Sequence, residues 1–132
     1  MAQDVTTFGL AQIGQIAITA RDLNRAVACY RDTLGMAFLF QVPGLAFFDC
    51  GGIRLALSTP EGPDADHPAS IIYYRVGDLP RAHATFTERG VAFIDAPHLI
   101  ATMPDHELWM AFFKDSEGNT LGLMSEVRNR QE

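Results

Sequence analysis

The sequence predicts an α+β fold of two tandem βαβββ units, with curved mixed sheets around a concave groove and helices outside. Three observations carry this expectation. The chain states one stretch twice, as QIAITARDLNRAVACYRDTLGMAF from Gln15 and as IIYYRVGDLPRAHATFTERGVAF from Ile71. Asp22, Leu23, Arg25, Ala26 and Ala28 recur as Asp78, Leu79, Arg81, Ala82 and Ala84. The later parts repeat as well: AFF at 46–48 returns at 111–113, and GIRLAL at 52–57 returns as GNTLGL at 118–123. Finally, one βαβββ unit has a single helix for four strands and leaves a sheet face bare, so two units are expected to associate.

Each element follows from local pattern. Ile13 to Ala20 alternates and is β-branched, which predicts a strand. Asp22 has the chemistry of a helix N-cap. Leu23, Ala26, Val27, Tyr30 and Leu34 then recur at helical spacing as a buried stripe. Gly35 suits the left-handed position that ends such a helix. Strands are expected at Met36–Gln41, Leu45–Asp49 and Ile53–Ser58, with turns at Pro43-Gly44 and Gly51-Gly52. Residues 59–68 (TPEGPDADHP) read as a polar connector containing His67. The second unit restarts with a strand at Ser70–Val76 and a helix capped by Asp78. Leu79, Ala82, His83 and Phe86 face inward there, and Gly90 ends the helix. Strands are expected at Val91–Ile94, Glu107–Lys114 and Thr120–Ser125, with a loop at Asp95–His106. The single domain spans 12–127, with units at about 13–58 and 70–125 and flexible ends at 1–11 and 128–132.

Composition narrows the function classes. At 132 residues with 48% hydrophobic content, the chain can bury a core of its own. Its net charge of −6 disfavours nucleic acid and anionic membranes, which both call for a basic surface. No apolar run is long enough to span a bilayer, and the first ten residues lack a secretory pattern. Two cysteines, Cys29 and Cys50, are too few for a disulfide framework, and a cytoplasmic protein with reduced thiols is expected.

Strand parity places the groove. Ile53, Leu55 and Leu57 should pack under a helix, which turns Arg54, Ala56 and Ser58 to the concave side. By the same reasoning Gln15, Ala17, Thr19, Tyr73, Arg75, Thr120, Gly122 and Met124 face it too. Small residues leave space there, and the polar groups give a small molecule something to hold. The competing reading is that those small residues only let two sheets pack closely.

The paired units, the DL-x-RA openings of both helices and the FFKDSEGNTLGLM ending resemble the vicinal oxygen chelate superfamily. That group includes glyoxalase I, bleomycin-resistance proteins and extradiol dioxygenases. The resemblance covers about residues 11 to 127 and implies a homodimer. It also implies a divalent metal held by four side chains, usually His, Glu, His and Glu, at positions that match Gln15, Ala56, Ile71 and Gly122. Only Gln15 has a donor atom, and a catalytic site needs at least three protein ligands. No metal and no cofactor are therefore expected.

The remaining candidates are single residues. Arg54 could fork onto a carboxylate or phosphate, or serve an internal salt bridge. Tyr73 could stack on a ring or simply pack. His98 and His106 are expected in a loop beside Glu107, where solvated histidines are the plain account. His106 is the first choice for contacting a ligand and a weak candidate for acid or base catalysis. Trp109, Met110, Phe112 and Phe113 form an apolar run whose inward face stays open, and Trp109 is carried as a pocket wall. Ligand-binding candidates are thus Gln15, Arg54, Tyr73, His106, Trp109, Thr120 and Met124. The expected function is a metal-free protein that binds a small, partly aromatic or anionic compound. The alternative is a glyoxalase-like lyase or isomerase, or a dioxygenase, using a displaced metal or His106.

Overall fold

A computed structural model describes residues 9–60 and 70–128. Most of the connector, with His67, and most of both expected flexible ends lie outside the described residues.

The first unit runs β1 (Gln15–Thr19), α1 (Leu23–Ala28), β2 (Ala37–Val42), β3 (Leu45–Cys50) and β4 (Ile53–Ser58). The second runs β5 (Ile72–Arg75), α2 (Leu79–Glu88), β6 (His98–Thr102), β7 (His106–Lys114) and β8 (Thr120–Arg128). Each unit makes one four-stranded sheet, in the orders β1-β4-β3-β2 and β5-β8-β7-β6. The first strand lies parallel to the last in each, and the other pairs are antiparallel. The tandem βαβββ fold expected from the repeat is the observed one.

Both helices begin as their sequences require. Asp22 and Asp78 have extended backbones, and each side chain accepts the N–H three residues on, from Arg25 and Arg81. These bonds satisfy N–H groups that the first helical turn leaves orphaned. Beyond α1 the chain continues through a π turn at Cys29–Thr33, where the Leu34 N–H bonds to the Cys29 carbonyl. Gly35 then takes φ +75° and the Met36 N–H reaches the Tyr30 carbonyl, closing the helix end.

One expected element is placed differently. Val91–Ile94 is not a strand; Phe93 makes a single bridge to Phe113, as Phe38 pairs with Phe48 in the first unit. Pairing then breaks at Asp95-Ala96-Pro97. The Asp95 carboxylate accepts the Phe112 N–H, and Pro97 has no N–H to offer. The strand resumes at His98, inside the expected loop, opposite Met110. His98 and His106 are therefore strand residues. The last strand also runs to Arg128, three residues past its expected end.

α1 packs over β3 and β4, and α2 over β7 and β8. The covered faces merge into one core containing Ile18, Phe48, Leu55 and Leu57 of the first unit with Phe113, Leu121 and Leu123 of the second. Polar contacts lock the units together on this same side. The Tyr30 hydroxyl donates to the Asp115 carboxylate at 2.7 Å, and the Asn119 amide donates to the Thr19 carbonyl at 3.0 Å. Burial first, and then the Asp115 charge, push the Tyr30 phenol far above its ordinary range, so it stays a donor. Tyr30→Phe should lose about 1.5–3 kcal/mol, the usual worth of a hydrogen bond to a charged group, measured by denaturant unfolding.

Glu117 joins the turn before β8 to the start of α1. It accepts from the Asp22 N–H and the Arg25 guanidinium, both at 2.9 Å, and its side chain is only 4% exposed. Burial works to raise its pKa. The hydrogen bonds from Arg25, Asp22 and Ser116 outweigh that and leave the value below the usual carboxylate range. A depressed folded-state pKa stabilises the fold above the unfolded value, about 4.3, and the contribution is lost as pH falls through the folded value. Glu117→Gln should therefore flatten the loss of stability below about pH 4.3, read as unfolding midpoint against pH.

Candidate functional site

With helices on one side, each sheet leaves its other face open. On the first sheet, two cross-strand rows define this face. Gln15, Arg54 and Asp49 stand side by side, and Ala17, Ala56, Phe47 and Phe40 form the next row. The Arg54 guanidinium lies 5.6 Å from the Phe47 ring centroid, a cation–π contact. Among the described residues it makes no ion pair, so the internal salt bridge considered for it is not formed. Phe40 and Phe47 pack ring against ring at 4.8 Å. The result is a shallow face on which Ala17 is exposed and Ala56 is already covered, with an aromatic wall on one side and a cation at its edge.

The second sheet presents Tyr73, Gly122 and Phe112 in the row equivalent to Ala17, Ala56 and Phe47. Tyr73 and Phe112 meet edge to face at 5.8 Å. Their rings close over Gly122: a Cβ there would sit 2.8 Å from a Tyr73 ring carbon and 3.2 Å from Phe112. Met124 shares this face beside Arg75 and Met110. Thr120 lies at its edge, where its hydroxyl accepts from the Lys114 ammonium at 3.0 Å.

His106 opens β7 at the far end of this sheet. Its Nδ1 is 2.7 Å from Asp105 Oδ1, and this bond is the leading reason the Asp105 carboxyl lies below its ordinary range. The pair borders a recess shared with Arg75, Glu126 and Arg128. Trp109 is on the other face. It stands opposite Ser125, one residue out of phase with Met110 and Phe112, and packs against the core beneath α2. Its indole N–H donates to Glu107 at 3.1 Å. The seven sequence candidates thus divide: Gln15 and Arg54 share one open face, Tyr73, Met124, Thr120 and His106 share the other, and Trp109 is on neither.

Phe47, Phe40 and Phe112 are open-face residues that the sequence reading did not select. The signal was present. In AFF the first phenylalanine alternates with a core residue on either side, so parity alone turns it outward.

The four positions that carry metal ligands in related enzymes do not make a donor set here. Gln15 supplies one amide oxygen. Ala56, 1% exposed, Ile71 and Gly122 supply no side-chain donor, and aromatic rings occupy the space above Gly122. Among the described residues no group of three His, Cys, Asp or Glu side chains converges elsewhere. These positions do not fit the family's divalent ion.

Solved structures of similar fold come from several bacteria. A glyoxalase/bleomycin resistance protein/dioxygenase from Nocardioides superposes with TM-score 0.72 at 20% identity, covering 96% of this chain and 92% of that one. Lactoylglutathione lyase from Agrobacterium tumefaciens gives TM-score 0.69 at 21% identity, covering 89% and 95%. A superfamily member from Sphaerobacter thermophilus gives 0.71 at 27% identity, covering 89% and 98%. The first two likenesses concern the fold alone. No curated protein matches the chain. The sequence model of the glyoxalase/bleomycin resistance protein/dioxygenase superfamily matches residues 12–123, most of the chain. By that match, and with the same paired βαβββ units, this protein belongs to the glyoxalase/bleomycin resistance protein/dioxygenase superfamily.

Proposed function

We propose that this protein binds a small, partly aromatic anion on the open sheet faces, without a metal ion. One observation carries the reading. Exposed Ala17 lies beside the Phe40–Phe47 pair, with Arg54 held over Phe47 and, among the described residues, no carboxylate paired with it. A planar ring fits such a surface, and a guanidinium beside it attracts a carboxylate, sulfonate or phosphate. Tyr73, Met124, Thr120 and Gln15 are the further polar and apolar contacts this reading uses.

A second copy of the chain completes the groove. The units join through their covered faces, so each open face lacks an opposing wall. The outer strands also expose Leu39, Phe40 and Val42 in one unit and Leu99 and Ile100 in the other. A homodimer would cover them, and light scattering should return about twice the 14.5 kDa chain mass. Both cysteines are free thiols, which suits a reducing cytoplasm. Among the described residues no helix is long and apolar enough to cross a membrane.

The probe that tests binding is 1-anilinonaphthalene-8-sulfonate, an aromatic anion. Saturable fluorescence enhancement at one site per open groove is the expected result. A non-saturating rise, or none, would remove the reading. A second reading, a glyoxalase-like lyase or isomerase using His106 as acid or base, draws on the 2.7 Å contact that fixes its imidazole. It requires His106→Gln to abolish turnover while leaving dye affinity intact.

A further inference from the structure

On the helix side of the second sheet, a recess of about 610 Å³ lies between the start of α2, the start of β7 and the end of β8. Trp109 and the apolar side chains of Pro80, Pro97 and Val127 line it, together with Glu107. Trp109 is half-buried: it packs against the core and also borders the recess. Its indole N–H donates to Glu107 Oε1 at 3.1 Å, which holds ring and carboxylate side by side. Glu107 stands opposite Val127 across the strand pair and, among the described residues, makes no ion pair. Asp78 supplies a second carboxylate, and among the described residues no lysine or arginine lines the recess.

We propose that this recess is a second binding site, for a small organic ammonium ion, a quaternary or methylated amine, whose cationic head rests against the Trp109 indole and the Glu107 carboxylate. Among side chains an indole attracts a cation most strongly through its ring, and a carboxylate with no cation of its own adds a direct charge. Methyl groups on the nitrogen spread that charge over an apolar surface, which matches the proline and valine walls. The volume lies within the range of small-molecule sites. An anion is disfavoured although a helix begins at the recess. Pro80, in the first turn of α2, has no N–H, and the Asp78 side chain already takes the N–H of Arg81. The site therefore takes the opposite charge from the Arg54 face, and it stands independently of that face.

The test titrates the whole chain with choline and with 3,3-dimethylbutan-1-ol, which has the same shape with carbon in place of the charged nitrogen. Trp109 is the chain's single tryptophan, so its fluorescence reads binding at this recess. Choline should change it saturably, and the neutral alcohol should bind about tenfold more weakly. Glu107→Gln keeps an oxygen that can accept the indole N–H and removes the charge. The variant should bind choline about tenfold more weakly than the parent and the alcohol equally well. Choline should not displace the anionic dye, which separates this site from the open face. Four results would overturn the proposal: no saturable change with choline, equal affinities for choline and the alcohol, choline affinity unmoved by Glu107→Gln, or displacement of the dye by choline.

Discussion

Asp115→Ala should destabilise the protein by about 3–5 kcal/mol, the usual cost of breaking a buried charged network. The residue is 7% exposed and its carboxylate accepts from four donors. Oδ1 takes the N–H groups of Glu117 and Asn119, each at 2.8 Å, and Oδ2 takes the Tyr30 hydroxyl at 2.7 Å and the Asn119 amide at 3.0 Å. Removing it leaves Tyr30 unpaired in the core and frees the turn that holds Glu117 against α1. It also loosens Asn119, whose amide ties the units at Thr19. The individual losses share partners and will not simply add. Denaturant unfolding measures the total. A loss below 1 kcal/mol would show that the units are held by their apolar core alone.

Arg54→Ala should weaken the aromatic sulfonate by about 10- to 100-fold, the equivalent of losing one charge-assisted hydrogen bond. Arg54→Lys should recover only part of this. An ammonium keeps the charge but loses the planar fork and the stacking on Phe47. Neither change should alter stability by more than about 0.5 kcal/mol, because Arg54 is exposed and unpaired among the described residues. Isothermal titration of the three proteins checks this order. Equal affinities would detach the guanidinium from the site.

Much of this arrangement was legible in the sequence. The duplicated helices, both aspartate caps and the turn at Gly35 rest on local chemistry, and local chemistry decided them. Parity placed Gln15, Arg54, Tyr73 and Met124 on open faces because their strands alternate cleanly. The same argument could not be applied at Trp109. Its neighbours in LWMAFF are all apolar, and only the pairing with Ser125 shows which way it turns. β6 was hidden for another reason. The repeat aligned Phe93 correctly with Phe38, but Asp95 and Pro97 interrupt the ladder, and the strand resumes where proline and histidine suggest a loop. The Tyr30–Asp115 bond joins residues far apart in the chain, with no spacing for a sequence to display.

The most direct test is the affinity of the aromatic sulfonate for protein stripped with a chelator, before and after returning zinc, nickel, manganese or iron(II). With Ala56, Ile71 and Gly122 in place of ligands, the stripped protein should bind fully, and the added ions should leave the affinity unchanged. Binding that appears only when one of those ions is restored would contradict the account.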